Sequence, residues 1–345
     1  MITKVVYIVV CDEHNNYLEQ TALSAFSARI YNPDVEILLV VDEGTNKQIL
    51  DNRSLILKYI SEKIVVSTPN KYNNKEKSRY LKTTLREIVK GDYLFIDSDT
   101  IITESLEVAD KLPMDIGAVL DVHVPLSASY YTDKVREDAN KMGWKLTSKD
   151  EQYFNSGVMY VKDTEVAHNL YQQWHENWLM RVRMGLVTDQ PALGMANAQL
   201  GYVIKELSGE WNCQLMLNGL PYLHEAKILH YFSTSIGNNT EENFFFKNSW
   251  IFNRIKERGS IPEEVIKQVE QAKSAFRHEQ IVPISGDRAV FQYTPVVRML
   301  WKSYQTNKVI FISINALGKL YYAIGSFRKK YWVNHEKNSN NYTRI

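Results

Sequence analysis

"YLFIDSDTII", residues 93–102, decides the reading of the fold. Tyr93 to Ile96 is the apolar run of a strand covered on both faces, and Ile101 and Ile102 resume it after Asp97, Ser98, Asp99 and Thr100. Residues two apart in an extended segment point to the same side, so Asp97 and Asp99 present both carboxylates to one point just past the strand. Two anions that close repel each other, and a hard divalent cation is the simplest species that holds both ionised. In the plainer alternative, one Asp caps the following turn and the other is solvated. The ends of strands in open α/β sheets are also where ligands bind.

Outward from this stretch, Val5–Val10, Val35–Val41, Lys63–Val66, Ile116–Leu120 and Gly157–Val161 read as further short strands rich in Val and Ile. Helical patterns cover Tyr17–Ala28, Lys77–Val89 and Val166–Arg183, the last with Leu170, Trp174, Trp178 and Leu179 at helical spacing. This alternation predicts an α/β fold layered around a mostly parallel sheet flanked by helices. The 345 residues hold 44% hydrophobic and 23% charged side chains, ordinary globular values. Net charge is +1 from 41 basic and 40 acidic residues, so no global field marks a nucleic-acid binder and no nucleic-acid partner is expected. Cys11 and Cys213 form neither a disulfide framework nor a zinc-type pair. The first apolar run meets acidic residues at once and has no small-residue cleavage site, so it predicts a first strand and a cytoplasmic protein.

Composition changes after about residue 245. "SIPEEVIKQVEQAKSAF" predicts a helix with Ser260 as N-cap and Pro262 just inside. Arg298 to Tyr331 mixes apolar and aromatic residues with Lys302, Lys308, Lys319, Arg328, Lys329 and Lys330. Lys319 interrupts its most apolar part, making it a poor spanning helix. It suits either peripheral contact with an anionic membrane through 298–331 or packing on the protein itself. The expected organisation is a catalytic domain over 1–245, a helical, basic-aromatic extension over 246–335 and a disordered tail over 336–345.

Five more stretches stand in a particular order: "CDEHNNY" (11–17), "FNSGVMYV" (154–161), "TDQPAL" (188–193), "EWNCQ" (210–214) and "ILHYFS" (228–233). With "LFIDSDT", they make residues 1–235 resemble glycosyltransferase family 8, retaining nucleotide-sugar-dependent hexosyltransferases of the GT-A fold, which implies a Rossmann-like, mixed and mostly parallel sheet. The resemblance implies that Asp97 and Asp99 are the metal-binding DxD and His230 the third ligand, for manganese or magnesium. It puts Asp12 and Tyr17 at the nucleotide base. Ser98, Arg79 and Lys82 fall beside the donor, and Asn155, Asp189 and Gln190 at the sugar and the reaction centre. Amides and carboxylates suit a sugar, whose hydroxyls each offer a donor and an acceptor.

Without the resemblance, His230 reads as a structural histidine and Asn155 as a turn former before Gly157. Asp189 reads as the N-cap of a helix entered through Pro191, and Arg79 and Lys82 as solvated helix charges. Trp174, Trp178 and Trp211 fit either a sugar platform or the core. The chain departs from the family after His230, where "HYFSTSIGNNTEENFFFK" offers Gly237 but no lysine before Lys247.

The implied activity is metal-dependent, retaining transfer of a hexose, glucose or galactose, from a UDP-sugar to a saccharide or lipid-linked saccharide, in bacterial surface polysaccharide or lipopolysaccharide assembly. The alternatives are an inverting GT-A enzyme with a carboxylate base and a non-catalytic nucleotide- or sugar-binding relative.

Overall fold

The computed structural model describes residues 1–215, 218–232, 244–275, 294–307 and 309–321. Its strands are β1 (Lys4–Val9), β2 (Ile37–Asp42), β3 (Glu62–Val66), β4 (Tyr93–Ile96), β5 (Thr100–Ile102), β6 (Ile116–Leu120), β7 (Phe154–Val161), β8 (Lys205–Glu206), β9 (Cys213–Gln214) and β10 (Ile228–His230). Its helices are α1 (Tyr17–Tyr31), α2 (Glu43–Asn46), α3 (Asn74–Thr83), α4 (Leu85–Ile88), α5 (Thr132–Met142), α6 (Glu165–Arg183), α7 (Gln190–Gln199), α8 (Ser249–Arg258), α9 (Glu263–Glu270) and α10 (Pro295–Thr306).

Seven strands form a mixed sheet in the order β3-β2-β1-β4-β7-β6-β8. The run β3-β2-β1-β4 is parallel, whereas β7 is antiparallel to both β4 and β6. Strand order reverses beside β1, so the carboxyl ends of β1 and β4 open on one crevice, the usual ligand position of such sheets. Alternate residues of β4 enter separate cores: Leu94 and Ile96 join one, Tyr93 and Phe95 the other. That burial on both faces explains the unbroken apolar run.

Thr100–Ile102 does not continue β4. It turns into a second, three-stranded sheet, β5-β10-β9, in which β10 runs antiparallel to β5. The turn at Asp97 to Asp99 is therefore the joint between two sheets. The pairing His230↔Thr100 brings a histidine more than a hundred residues away back to that joint.

Several element boundaries differ from the sequence expectation, and three of the differences change the reading of a residue or an element. The helix predicted over Lys77–Val89 begins at Asn74, where Asn73 and Glu76 form a reciprocal capping box, and it breaks at Thr84 into α3 and α4. Asn155 lies inside β7, so it is not a turn former. The helix expected to start at Ser260 begins at Glu263, with Pro262 in the N-cap position.

The chain divides into two units, Met1–Gly286 and Asp287–Ile345. In the first, Phe252 and Ile255 of α8 and Val265 and Val269 of α9 share a core with Leu94 and Ile96. In the second, α10 and a helical segment over 309–321 leave Val296, Trp301, Tyr304, Val309, Leu317 and Tyr321 exposed. No helix among the described residues is long and apolar enough to cross a membrane. Gly237, Lys308, Arg328, Lys329, Lys330 and the 336–345 tail lie outside the described residues.

Candidate active site

At the joint between the sheets, Asp97, Asp99 and His230 each bring one ligand atom to within 4.8 Å of the others, a group able to hold a metal ion. His230 Nε2 lies 3.3 Å from Asp99 Oδ1. Two carboxylate oxygens and an imidazole nitrogen suit a divalent cation. Gly157 leaves room for the cluster, because a Cβ there would lie 2.5 Å from His230 Cε1 and 2.9 Å from Asp97 Oδ2. Chemistry and space both fit a metal.

Helix α3 borders the cluster with two cations. Lys82 Nζ lies 3.3 Å from Asp97 Oδ1 and 3.7 Å from Asp189 Oδ2, and Arg79 Nε lies 3.0 Å from Asp189 Oδ1. Neither is a merely solvated helix charge. Burial alone would raise Asp189, but Lys82, Arg79 and hydrogen bonds from the backbone and Ser156 together outweigh it and hold the carboxyl below its ordinary value. Asp97 goes the other way: burial raises it, Lys82 opposes, and the neighbouring Asp99 adds to the rise.

Asp189 occupies the N-cap position of α7 but makes no side-chain capping bond; its Oδ2 lies 3.2 Å from Ser156 Oγ instead. The backbone that presents it is fixed from α6. Trp174 Nε1 donates to Asp189 O, Trp178 Nε1 to Val187 O and Arg181 Nε to Thr188 O. Trp174 and Trp178 are fully buried and Trp211 nearly so, so all three belong to the core.

Asn155 donates from Nδ2 to Asp121 Oδ1 at 2.9 Å, and Gln190 also favours the charged form of that carboxyl. Burial raises Asp121 despite both. After it, Val122 and His123 both take left-handed φ, 54° and 58°, conformations that cost energy for such residues. Gln214 holds this turn: its Oε1 accepts from Val122 N, its Nε2 donates to Leu120 O, and its own backbone N donates to His123 Nε2.

Asp12 sits past β1. Its carboxylate accepts from His14 N and Asn15 N and, through Oδ2, from Asn74 Nδ2 at the start of α3. Tyr17 opens α1 close enough to Arg79 to influence its charge. The loop between them is held by its carbonyls, with Arg53 donating to Asp12 O and Asn15 O, and Lys256 of α8 to Glu13 O and Asn15 O. Ser98 stands apart from the metal cluster; its hydroxyl lies 2.9 Å from Thr21 Oγ1 on α1. Both cysteines are free and buried, and burial raises Cys11 to about 11 and Cys213 to about 12, so neither is a thiolate nucleophile.

Sequence reading missed Asp121 and the positions that brace the site. The signal for Asp121 was present, since "IGAVLD" is a second buried strand ending in a carboxylate. Arg53 and Lys256 gave none, because each contributes through backbone carbonyls of a distant loop.

A family model described as Glycosyl transferase family 8 matches residues 8–238. Among curated proteins none matches the chain. Among solved structures, the chain is similar to mouse xyloside xylosyltransferase 1, apo form, at 14% identity and TM-score 0.45, over 68% of this chain and 98% of that one. It is similar to the galactosyltransferase LgtC in complex with donor and acceptor sugar analogs, at 16% identity and TM-score 0.47, over 77% and 100%. It is also similar to the glycosyltransferase GlyE of Streptococcus pneumoniae, at 17% identity and TM-score 0.46, over 81% and 67%. The family match spans more than half of the sequence, including Asp12, Asp97, Asp99, Asp189 and His230, and the chain belongs to glycosyl transferase family 8, a family of glycosyltransferases.

Proposed function

We propose that the enzyme moves a hexose, glucose or galactose, from a UDP-sugar to a saccharide hydroxyl with retention at the anomeric carbon, in assembly of a bacterial surface polysaccharide or lipopolysaccharide. The observation that carries this reading is the convergence of Asp97, Asp99 and His230 beside Asp189, Asn155 and Gln190 at the sheet's switch point. Asp97, Asp99 and His230 would hold a divalent cation, manganese or magnesium, which would supply positive charge toward a departing diphosphate.

The chain's own residues do the positioning. Asp12 and Tyr17 flank the nucleotide base at the end of β1. Arg79 keeps Asp189 ionised and stands toward the donor, whereas Lys82 lies deeper, bridging Asp97 and Asp189. Asp189 and Asn155 offer the acceptor and donor atoms that sugar hydroxyls need. Gln190 orients the reaction centre through Asp121; an amide is not basic enough to abstract a proton efficiently. Catalysis is then mainly electrostatic and positional.

The chain beyond residue 245 has two roles in this reading. Helix α8 steadies the loop that carries Asp12, through Lys256. The stretch 298–331, with its exposed apolar side chains beside Arg298, Lys302 and Lys319, rests on the anionic inner face of the membrane, where a cytoplasmic enzyme meets a lipid-linked acceptor.

The test is transfer from UDP-glucose and UDP-galactose, with manganese, to a panel of glycoside acceptors, followed by NMR of the new anomeric proton. An α-linked product from the α-linked donor supports the reading. A β-linked product transfers the case to an inverting enzyme, and saturable donor binding with neither transfer nor hydrolysis to a non-catalytic relative.

A further inference from the structure

We propose that Asn212 is a positioning residue that fixes His230 as the Nδ1–H tautomer, leaving the Nε2 lone pair on the side of Asp97 and Asp99. Asn212 lies in "EWNCQ", a stretch to which the catalytic reading gives no task, and it is fully buried.

The tautomer is fixed by groups whose roles have no freedom. The backbone N–H of Gly157 can only donate, and it meets one end of the Asn155 amide at 2.9 Å, so that end is the oxygen. The other end of the same amide meets the Asp121 carboxylate at 2.9 Å, where a donor is required. Asn155 therefore has one permitted orientation. Its oxygen lies 3.0 Å from the Asn212 amide, which must present nitrogen there. The Asn212 oxygen is left 2.9 Å from His230 Nδ1. An amide oxygen only accepts, so His230 donates from Nδ1, and a neutral ring then carries its lone pair on Nε2, 3.3 Å from Asp99 Oδ1.

The ring is constrained in other directions too. Phe232 stacks on it at 4.0 Å between centroids, and the missing Cβ of Gly157 allows Cε1 its close approach. The buried line Asp121–Asn155–Asn212–His230 joins the sugar side of the crevice to the metal side. Partners of this kind orient a ligating histidine, and their removal typically weakens metal binding about tenfold to a hundredfold. The consequence for metal rests on the metal site proposed above, whereas the tautomer itself does not.

The experiment uses the full chain labelled with 15N-histidine, in EDTA at pH 8, with His230 assigned by loss of its signals in His230→Gln. Long-range 1H–15N correlation is expected to show Nδ1 protonated in the wild type and in Asn212→Asp, which keeps an acceptor at Nδ1. Asn212→Leu is expected to lose that preference and to weaken Mn2+ binding, followed by electron paramagnetic resonance, about tenfold to a hundredfold. A wild-type protein with Nδ1 unprotonated overturns the proposal. So does Asn212→Leu with unchanged tautomer and Mn2+ affinity. If Asn212→Leu fails to fold, the wild-type tautomer and the Asp variant decide. Wild-type protein that shows the Nδ1–H tautomer but no saturable Mn2+ binding would uphold the role of Asn212 and overturn the metal reading instead.

Discussion

Lys82 Nζ stands 3.3 Å from Asp97 Oδ1, with only 6% of the lysine side chain exposed. The same ammonium reaches Asp189, so one buried cation serves a carboxylate of the candidate metal cluster and the carboxylate at the start of α7. Removing one partner of a buried pair leaves the other charge uncompensated, which costs several kcal/mol. Lys82→Met is expected to lose about 3 kcal/mol of unfolding free energy in EDTA. Saturating Mn2+ should recover part of that loss by binding the folded state alone. Urea denaturation of both proteins with and without metal measures it.

Gly157→Ala places a methyl group against His230 and Asp97. Overpacking of this kind typically costs about 1–3 kcal/mol. The expected outcome is that loss together with Mn2+ binding too weak to saturate, read by denaturation and by titration calorimetry.

The strained turn after β6 gives a pH signature. His123 accepts from Gln214 N and is stacked on Tyr222, and burial, with His230 adding, lowers its pKa from 6.5 to about 4. Between those values the unfolded chain takes up the proton and the folded chain does not, so stability is full above pH 6.5 and falls as pH is lowered toward 4. The 2.5-unit window corresponds to about 3 kcal/mol, an upper figure for a ring partly open to solvent. His123→Phe, which keeps the stacking and cannot be protonated, should remove this part of the pH dependence in unfolding curves taken from pH 7.5 to 4.

Lys256 holds the carbonyls of Glu13 and Asn15 from outside the family-matched segment. Lys256→Met is expected to raise KM for the nucleotide sugar several-fold while kcat changes little, because the loop carrying Asp12 loosens while the metal cluster is untouched. Steady-state kinetics separates the two parameters.

Much of this site was legible in the sequence because its chemistry is local to strand ends. Tyr93–Ile96 announced a strand buried on both faces, and Asp97 and Asp99 announced a pair of carboxylates brought together just past its end. The return of Ile101 and Ile102 to the core was legible as burial, but not as entry into a second sheet, since β5 is defined by its pairing with a β10 more than a hundred residues on. The break at Thr84 and the helix start at Glu263 were not legible, since helix ends fray and scatter by a residue or two around what a sequence pattern marks. Asp189 looked equally like a capping residue, and only the positions of Lys82, Arg79 and Ser156 show that its carboxylate is used elsewhere. Asn212 was visible as part of a motif without a task; its place in a line of fixed donors and acceptors needs coordinates.

The most direct measurement is release of free nucleotide from a panel of UDP-sugars and other nucleotide sugars by the purified full chain, with manganese or EDTA, alongside Asp99→Asn. The expected result is manganese-dependent hydrolysis of one UDP-hexose by the wild type, lost in EDTA and lost in Asp99→Asn. Equal turnover by the wild type and Asp99→Asn, or turnover indifferent to EDTA, would contradict the assignment of Asp97, Asp99 and His230 as the metal centre of a glycosyl transfer.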